Sequence, residues 1–445
     1  MSVPARIAAL VLTLVLTGCS SQMIPGSSGP SASGGSGNSG SSGSGSGASS
    51  GSGSAVSTCG SGGSTNAAAY VYVSAGDSSS SNPQANFEIV GYSAAADGTL
   101  TPVPGSPFPT TGLMPLYTAG TGSTLFGADG YNIDSFQVQA NGCLNPQGSV
   151  VAGQGSPANP AFMPMNLSLD PQGADLYSFD YGLPDGFSDF GSWSFNTGTG
   201  GLTQVGANVG GAGNSGMLAF SSSHEYAVTS YCYDRGGEIV QEYQRTNSGA
   251  LVRFGYGPLP TAASGSFYCP LGAAADGSNH IVIAMAPCQT EYLPCIASGP
   301  EQLAVYSVAD SGKLSTASTW QNMTAVDSAP ADGSVNYQFS PDDRYFAISS
   351  FTGLQLFAWD SATVTLTSIA TIRSGGACSN TGTGGGCSGP RFGNVAWDQN
   401  DHLYTTLNQQ LLVYSVSPSG LTPAPGSPYS LPSPAWVTVL PQNAQ

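Results

Sequence analysis

Between residues 66 and 440 apolar and polar positions alternate in short runs, and no stretch keeps a helical period for long. Alternation with period two is the mark of a half-buried strand, because successive side chains point to opposite faces of a sheet. Seven such strands recur. One ends at Tyr92, five cover 133–138, 191–195, 239–244, 303–308 and 354–359, and the last ends at Tyr414. Their mean spacing is about 54 residues, a repeat length that signals stacked or circular units of one design. Each strand is followed by a polar or Gly-containing turn, and Val, Ile, Tyr, Phe and Thr dominate, as half-buried strands require.

Each unit divides into four strands, A to D, from the axis outwards. The recurring strand is C. The segment before it, such as 70–73 or 345–348, is B, and turns such as 170–173 and 340–344 join A to B. The first unit begins at B. The chain ends in an A-type strand, 434–440, with no B behind it. The C-terminus therefore supplies the strand that the first unit lacks, which closes a ring and removes open sheet edges. The expectation is an all-β, seven-bladed β-propeller over 66–445, closed by a C-terminal strand.

Two motifs carry a family resemblance. One is Ser340-Pro341-Asp342-Asp343-Arg344-Tyr345. The other is Leu-Thr-Pro-x-Pro-Gly-Ser-Pro followed by an aromatic residue, at 100–108 and again at 421–429. Both resemble the lactonase-type propellers, which include a bacterial 6-phosphogluconolactonase and carboxymuconate cyclase. The resemblance spans about residues 66–440. It implies a channel-facing Pro-His near the start of strand A. The matching stretches here are 114–116, 162–165, 216–217, 267–268, 336–337, 391–392 and 435–436, and none contains His.

The N-terminus reads differently. Arg6 precedes an apolar run over 7–16, too short to span a bilayer as a stable helix, which ends in Leu16-Thr17-Gly18-Cys19. This matches the lipobox of bacterial lipoproteins. Residues 1–18 are expected to be a signal peptide, and Cys19 the lipidated residue that holds the protein to a membrane. Ser20 in place of Asp implies the outer membrane by resemblance to enterobacterial sorting. Residues 20–65 are dominated by Gly and Ser and bury too little to offset their ordering entropy. A disordered linker with ends roughly 35–40 Å apart is expected.

Charge narrows the partners. Only 7% of residues are charged and the net charge is −17. With eight Lys and Arg in all, a phosphate-tracking surface is excluded, so nucleic acid is not expected as a partner. A monomer is expected. Of nine cysteines, eight remain beside Cys19, an even number suited to an oxidising compartment. The expected pairs are Cys59–Cys143, Cys232–Cys269, Cys288–Cys295 and Cys378–Cys387. On the face of the B–C and D–A loops, the second pair joins the end of strand B in the fourth unit to the start of strand A in the fifth, the third lies in one B–C loop, and the fourth in one D–A loop. The first lies on the opposite face.

The three histidines, His224, His280 and His402, each fall in an A–B turn and are read as solvated turn residues. The ligand face is expected where the A strands begin. Its candidates are Tyr181, Tyr233, Asp234, Arg235, Tyr268, Tyr337, Arg391 and Trp436. This aromatic, weakly charged set suits stacking on a saccharide or packing on an envelope protein. Asp180, Asp185 and Asp189 are close enough to bind Ca²⁺ through oxygen, but Asp-Gly is an ordinary turn signal and the spacing fits no EF-hand. No cofactor is expected. A non-catalytic binding or scaffold lipoprotein is the leading expectation. The alternatives are a lactonase-like hydrolase using a carboxylate-activated water, and an envelope assembly component.

Overall fold

The computed structural model describes residues 59, 67–76, 87–110, 116–156, 159–182, 188–210, 217–231, 239–289, 299–330, 334–378 and 387–441. Among them every regular element is a strand. The strands assemble into seven antiparallel blades, each in the order A-B-C-D. All seven strands expected from the alternation are C strands: Glu88–Ala94, Asn132–Val138, Ser188–Phe195, Ile239–Arg245, Pro300–Val308, Gly353–Asp360 and Gln410–Ser417. The expected signal peptide, Cys19 and, apart from Cys59, the expected linker lie outside the described residues.

Strand A of blades 2 to 7 is Tyr117–Thr121, Asn159–Leu169, Ala219–Phe220, Phe267–Ala275, Ser334–Phe339 and Phe392–Trp397. Blade 1 takes its A strand, Pro434–Pro441, from the other end of the chain, where it pairs antiparallel with Ala69–Ala75. Tyr72 stands opposite Thr438 and Val71 opposite Val439. The two chain ends thus form one sheet, and that sheet closes the ring.

Stability comes from apolar layers between blades. Val71, Val73, Tyr404, Leu411, Val413 and Val437 fill one junction, and Phe126, Ile133, Leu176 and Trp193 another. Burying each such side chain contributes roughly 1.5–3 kcal/mol. The A–B turns are held by their first residue. Asp170 Oδ1 accepts hydrogen bonds from the amides of Ala174 and Asp175, and Asp398 Oδ1 from those of Asn400 and His402. Ser340 Oγ accepts one from the amide of Tyr345. These are side-chain turns in which a short polar group stands in for backbone.

The outer strands alternate in kind. Blades 2, 4 and 6 end in one continuous strand, Leu144–Val151, Leu251–Gly257 or Thr365–Arg373, each bulged against strand C. Blades 1, 3, 5 and 7 split the outer position into two pieces, as in Leu100–Pro102 with Phe108–Pro109. In blades 1 and 7 the split coincides with the duplicated Gly-Ser-Pro motif, whose Gly105 and Gly426 take φ of +81°. Interrupted outer strands leave less free edge for another chain to pair with.

Cys59 and Cys143 are joined by a disulfide with Cα atoms 5.7 Å apart. The turn that carries Cys143 is held from blade 1 as well, where Tyr70 donates to the carbonyl of Ala140 and Tyr72 to that of Gly142. Cys269 and Cys288 are each held in a disulfide as well. Cys288 ends strand B, His280–Cys288, instead of lying in the loop after it. Cys232 and Cys295 lie outside the described residues.

Candidate functional site

The ring has two chemically distinct faces. One, the turn face, carries the A–B and C–D turns. The other, the loop face, carries the starts of strands A and C and the end of strand B. The A strands stand side by side around the axis, so their first residues ring the mouth of the central channel.

A belt of short polar side chains knits these strands together below the mouth. Asn394 donates to the carbonyl of Val437 and accepts from its amide, both at 2.8 Å, which locks blade 7 to blade 1. The amide of Val395 donates to Asn336 Oδ1 at 3.2 Å, linking blades 7 and 6. Thr438 donates to the carbonyl of Thr118 at 2.8 Å, and the two hydroxyls lie 2.7 Å apart, linking blades 1 and 2. Asn166, Asn336 and Asn394 are buried and stand four residues before Asp170, Ser340 and Asp398. A bulge in strand A accompanies each of them. A bulge re-aims a side chain, and here it accompanies amides directed towards a neighbouring blade in two cases. The Asn-x-x-x-Asp/Ser spacing was readable in the sequence as a repeat signal.

Above the belt, Tyr117 meets Trp436 edge-on with ring centroids 5.2 Å apart, and Trp436 Nε1 donates to the carbonyl of Thr118 at 2.9 Å. Burial raises the pKa of the Tyr117 phenol, and the positive charge of Arg391 partly offsets that. Arg391 is exposed, with its guanidinium 5.4 Å from the centroid of the Phe351 ring. Arg391 immediately precedes the A strand of blade 7, and Trp436 and Tyr117 lie near the starts of the A strands of the next two blades, 1 and 2. Sequence reasoning picked out the first two and missed Tyr117, whose only signal was its position one residue past the 114–116 stretch.

The other expected residues fall elsewhere. Tyr268 and Tyr337 are buried. Tyr268 donates to Gln302 Oε1 at 2.6 Å, and burial pushes its phenol up to about 12. Tyr337 fills the space that Gly272 leaves by having no side chain. Both belong to the packing between blades and not to an exposed surface. Tyr181 is half-buried at the end of strand B of blade 3. Tyr233, Asp234, Arg235 and Asp185 lie outside the described residues.

Burial raises several carboxyls on this side of the ring, Glu88 among them. Asp180, 1% exposed, stands opposite Asp189 on the neighbouring strand. Burial, aided by the charge of Asp189, pushes it up to about 7, although a hydroxyl bond from Ser178 and an amide bond from Asn208 oppose the shift. Asn208 Nδ2 donates to Asp180 Oδ2 at 3.1 Å, while Oδ1 is buried without a hydrogen-bond partner. In blade 2, burial raises Asp134 to about 6. Among the described residues no three His, Cys, Asp or Glu side chains converge as a metal site would require. A shallow groove of about 860 Å³ lies on blade 7 of the same face, lined by Asn408, Gln409, Gln410, Ser430, Leu431, Pro432 and Ser433.

All three histidines are on the turn face, and two are more ordered than solvated turns. His280 and His402 begin strand B. Nδ1 of His402 lies 2.8 Å from Asp398 Oδ2, which also accepts from the Tyr404 hydroxyl at 2.8 Å. His280 makes the same contact with Asp276 at 2.9 Å, and Trp359 Nε1 donates to that carboxylate at 3.0 Å. His402 is buried, because its neighbour Gly98 leaves room for the imidazole. These are structural pairs at the bases of blades.

No family description and no curated protein matches the chain. Solved structures do. A Bacteroides uniformis protein described as a candidate 6-phosphogluconolactonase superposes with a TM-score of 0.55 at 13% identity, covering 84% of this chain and 99% of its own. The periplasmic gluconolactonase PpgL of Pseudomonas aeruginosa gives a TM-score of 0.56 at 17% identity, covering 83% and 98%. The fold is that of the lactonase-type seven-bladed propellers. A Lactobacillus plantarum protein shares it at 15% identity, with a TM-score of 0.51 and 84% and 99% coverage. At these identities the likeness establishes architecture, which hosts many functions.

Proposed function

We propose that this protein is an exported, lipid-anchored propeller that binds a saccharide or an envelope protein on its loop face without turning it over. The observation that carries this reading is the division of chemistry between the faces. Trp436, Tyr117 and Arg391 ring the mouth, while His224, His280 and His402 sit on the turn face, remote from it. Aromatic rings beside an arginine form a stacking and anion-pairing surface. Export is supported by the lipobox at Cys19, by the disulfides that hold Cys59, Cys143, Cys269 and Cys288, and by the likeness to a periplasmic gluconolactonase. The mature chain with Cys19→Ser, tested for retention by neutral and uronic-acid polysaccharides and for gluconolactone hydrolysis, decides the matter. Saturable retention without hydrolysis is expected. Hydrolysis abolished by a loop-face substitution would overturn the reading.

A second reading has its own support. A carboxyl titrating near 7 is what a general base or acid at neutral pH requires, and Asp180 is such a group on the loop-face half of blade 3. If the protein is a lactonase-like hydrolase, Asp180 is the candidate base, and because it is buried the strand ends around it must open to admit water. Asp180→Asn then removes turnover and leaves the fold intact.

A further inference from the structure

The connection from blade 6 to blade 7 contains a small ladder that belongs to neither blade. Ala377–Cys378 pairs antiparallel with Cys387–Ser388, and Cys378 stands directly opposite Cys387. Opposed residues on antiparallel strands have Cα atoms about 4.5–5.5 Å apart, within the roughly 4.4–6.8 Å that a disulfide spans. A two-stranded ladder of this length has no stability of its own. The ladder also has a firm base. Ser374 Oγ donates to the carbonyl of Phe351 at 2.7 Å, and the amide of Ser374 donates to that of Thr352 at 3.0 Å. Gly376 packs so closely that a Cβ there would lie 2.6 Å from the Phe351 carbonyl and 2.3 Å from that of Pro390. The next residue is Arg391, whose guanidinium lies over the ring of the same Phe351.

We propose that Cys378 and Cys387 form a disulfide that staples this ladder, and that the staple positions Arg391 at the channel mouth as the anion-pairing group of the loop face. Closing it takes two electrons and two protons from the two thiols. An external disulfide accepts them and leaves as two thiols, in the manner of ordinary thiol–disulfide exchange. The staple joins two points of one connection and crosses no blade junction. It therefore orders Arg391 without bearing the stability of the ring. The role given to Arg391 rests on the binding function proposed above; the bond does not.

Trypsin makes the test simple, because Arg373 and Arg391 bound a peptide, 374–391, whose only cysteines are these two. From alkylated, unreduced and denatured protein this peptide is expected unlabelled and two hydrogens lighter than its dithiol form. A doubly labelled peptide, or one linked elsewhere, would overturn the staple. In the folded protein, the Cys378→Ser/Cys387→Ser variant is expected to be cut after Arg391 at least tenfold faster than the parent, with an unchanged melting temperature. Equal cleavage would overturn the positioning role. The two failures are separable from that of the binding reading. A protein that retains no glycan at all but yields the linked peptide loses the proposed function and keeps the staple.

Discussion

The turn face and the loop face both have to join seven blades, and they do so with different chemistry. On the turn face, charges are paired across blades. Arg245 of blade 4 reaches Asp170 and Asp175 of blade 3 at 3.1 and 3.3 Å, Lys313 of blade 5 reaches Glu242 of blade 4, and Arg344 of blade 6 bonds Asp401 of blade 7 as well as Asp342 of its own turn. On the loop-face side, buried joints are made by uncharged amides and hydroxyls, and no cation offsets the raised pKa of buried Asp180 or half-buried Asp134. The paired face holds the ring in register. The face with an edge-on aromatic pair and an exposed arginine also carries carboxyls whose burial costs stability. That division is expected where one side of a scaffold is reserved for binding.

The comparison can be broken at its widest point by removing what both faces share. A chain ending at Ser433 loses strand A of blade 1, with it the Asn394–Val437 and Thr438–Thr118 bonds, and exposes the edge of Ala69–Ala75. The loss is expected to approach the whole of the roughly 5–15 kcal/mol that holds a domain folded. Circular dichroism should show no cooperative melt. An unchanged melt would mean that the ring closes by other means.

A smaller loss is expected from the turn face alone. Replacing Cys59 and Cys143 with Ser frees the long loop between them and should cost about 3–4 kcal/mol, read as a fall in melting temperature by calorimetry. Arg245→Met leaves Asp170 and Asp175 without their cation. Asp175 is already raised by burial, an effect that Arg245 partly offsets. The expected cost is about 2–3 kcal/mol, at the low end for breaking a buried pair because Arg245 is partly exposed.

The loop face should respond with the opposite sign. Asp180 in the folded protein titrates near 7, against about 3.8 unfolded. Below about pH 4 it is protonated in both states and contributes nothing. As pH rises, the unfolded chain ionises first, so stability falls between about pH 4 and 7 and stays lower above. Asp180→Asn should therefore stabilise the protein at pH 8 by about 1–3 kcal/mol and leave it unchanged at pH 4. Equal stability of the two proteins at pH 8 would show that this carboxyl is compensated. The smallest effect belongs to Arg391→Ala. It should move the melting temperature by no more than about 0.5 kcal/mol allows, yet weaken retention on a uronic-acid polysaccharide. A neutral polysaccharide should be held as before.

Much of the molecule could be read before any coordinates. The seven C strands, the closing strand at 434–440 and the Cys59–Cys143 bond followed from alternation, from the mismatch between the two chain ends, and from the face that each turn must occupy. These are local or topological properties. A two-residue period survives whatever packs on it, and a ring dictates which loops share a side. The split outer strands were less legible, because the Gly-Ser-Pro motif that marks two of them is missing from the other two.

What only the tertiary structure decided is burial between blades. Nothing near Tyr268 or Tyr337 in sequence says that they fill junctions, or that Tyr117, far from Trp436 along the chain, meets it at the mouth. The histidines read as solvated because their turns are polar, yet Gly98 of the neighbouring blade encloses His402. The raised pKa of Asp180 likewise comes from its burial in the folded blade, where Asp189 stands opposite it. The sequence by itself determined the order of strands and the closure of the ring, since both are set by periodicity along one chain. Which polar groups are sealed in and which stay open to a ligand was decided by packing between distant segments, and no single segment contains that information.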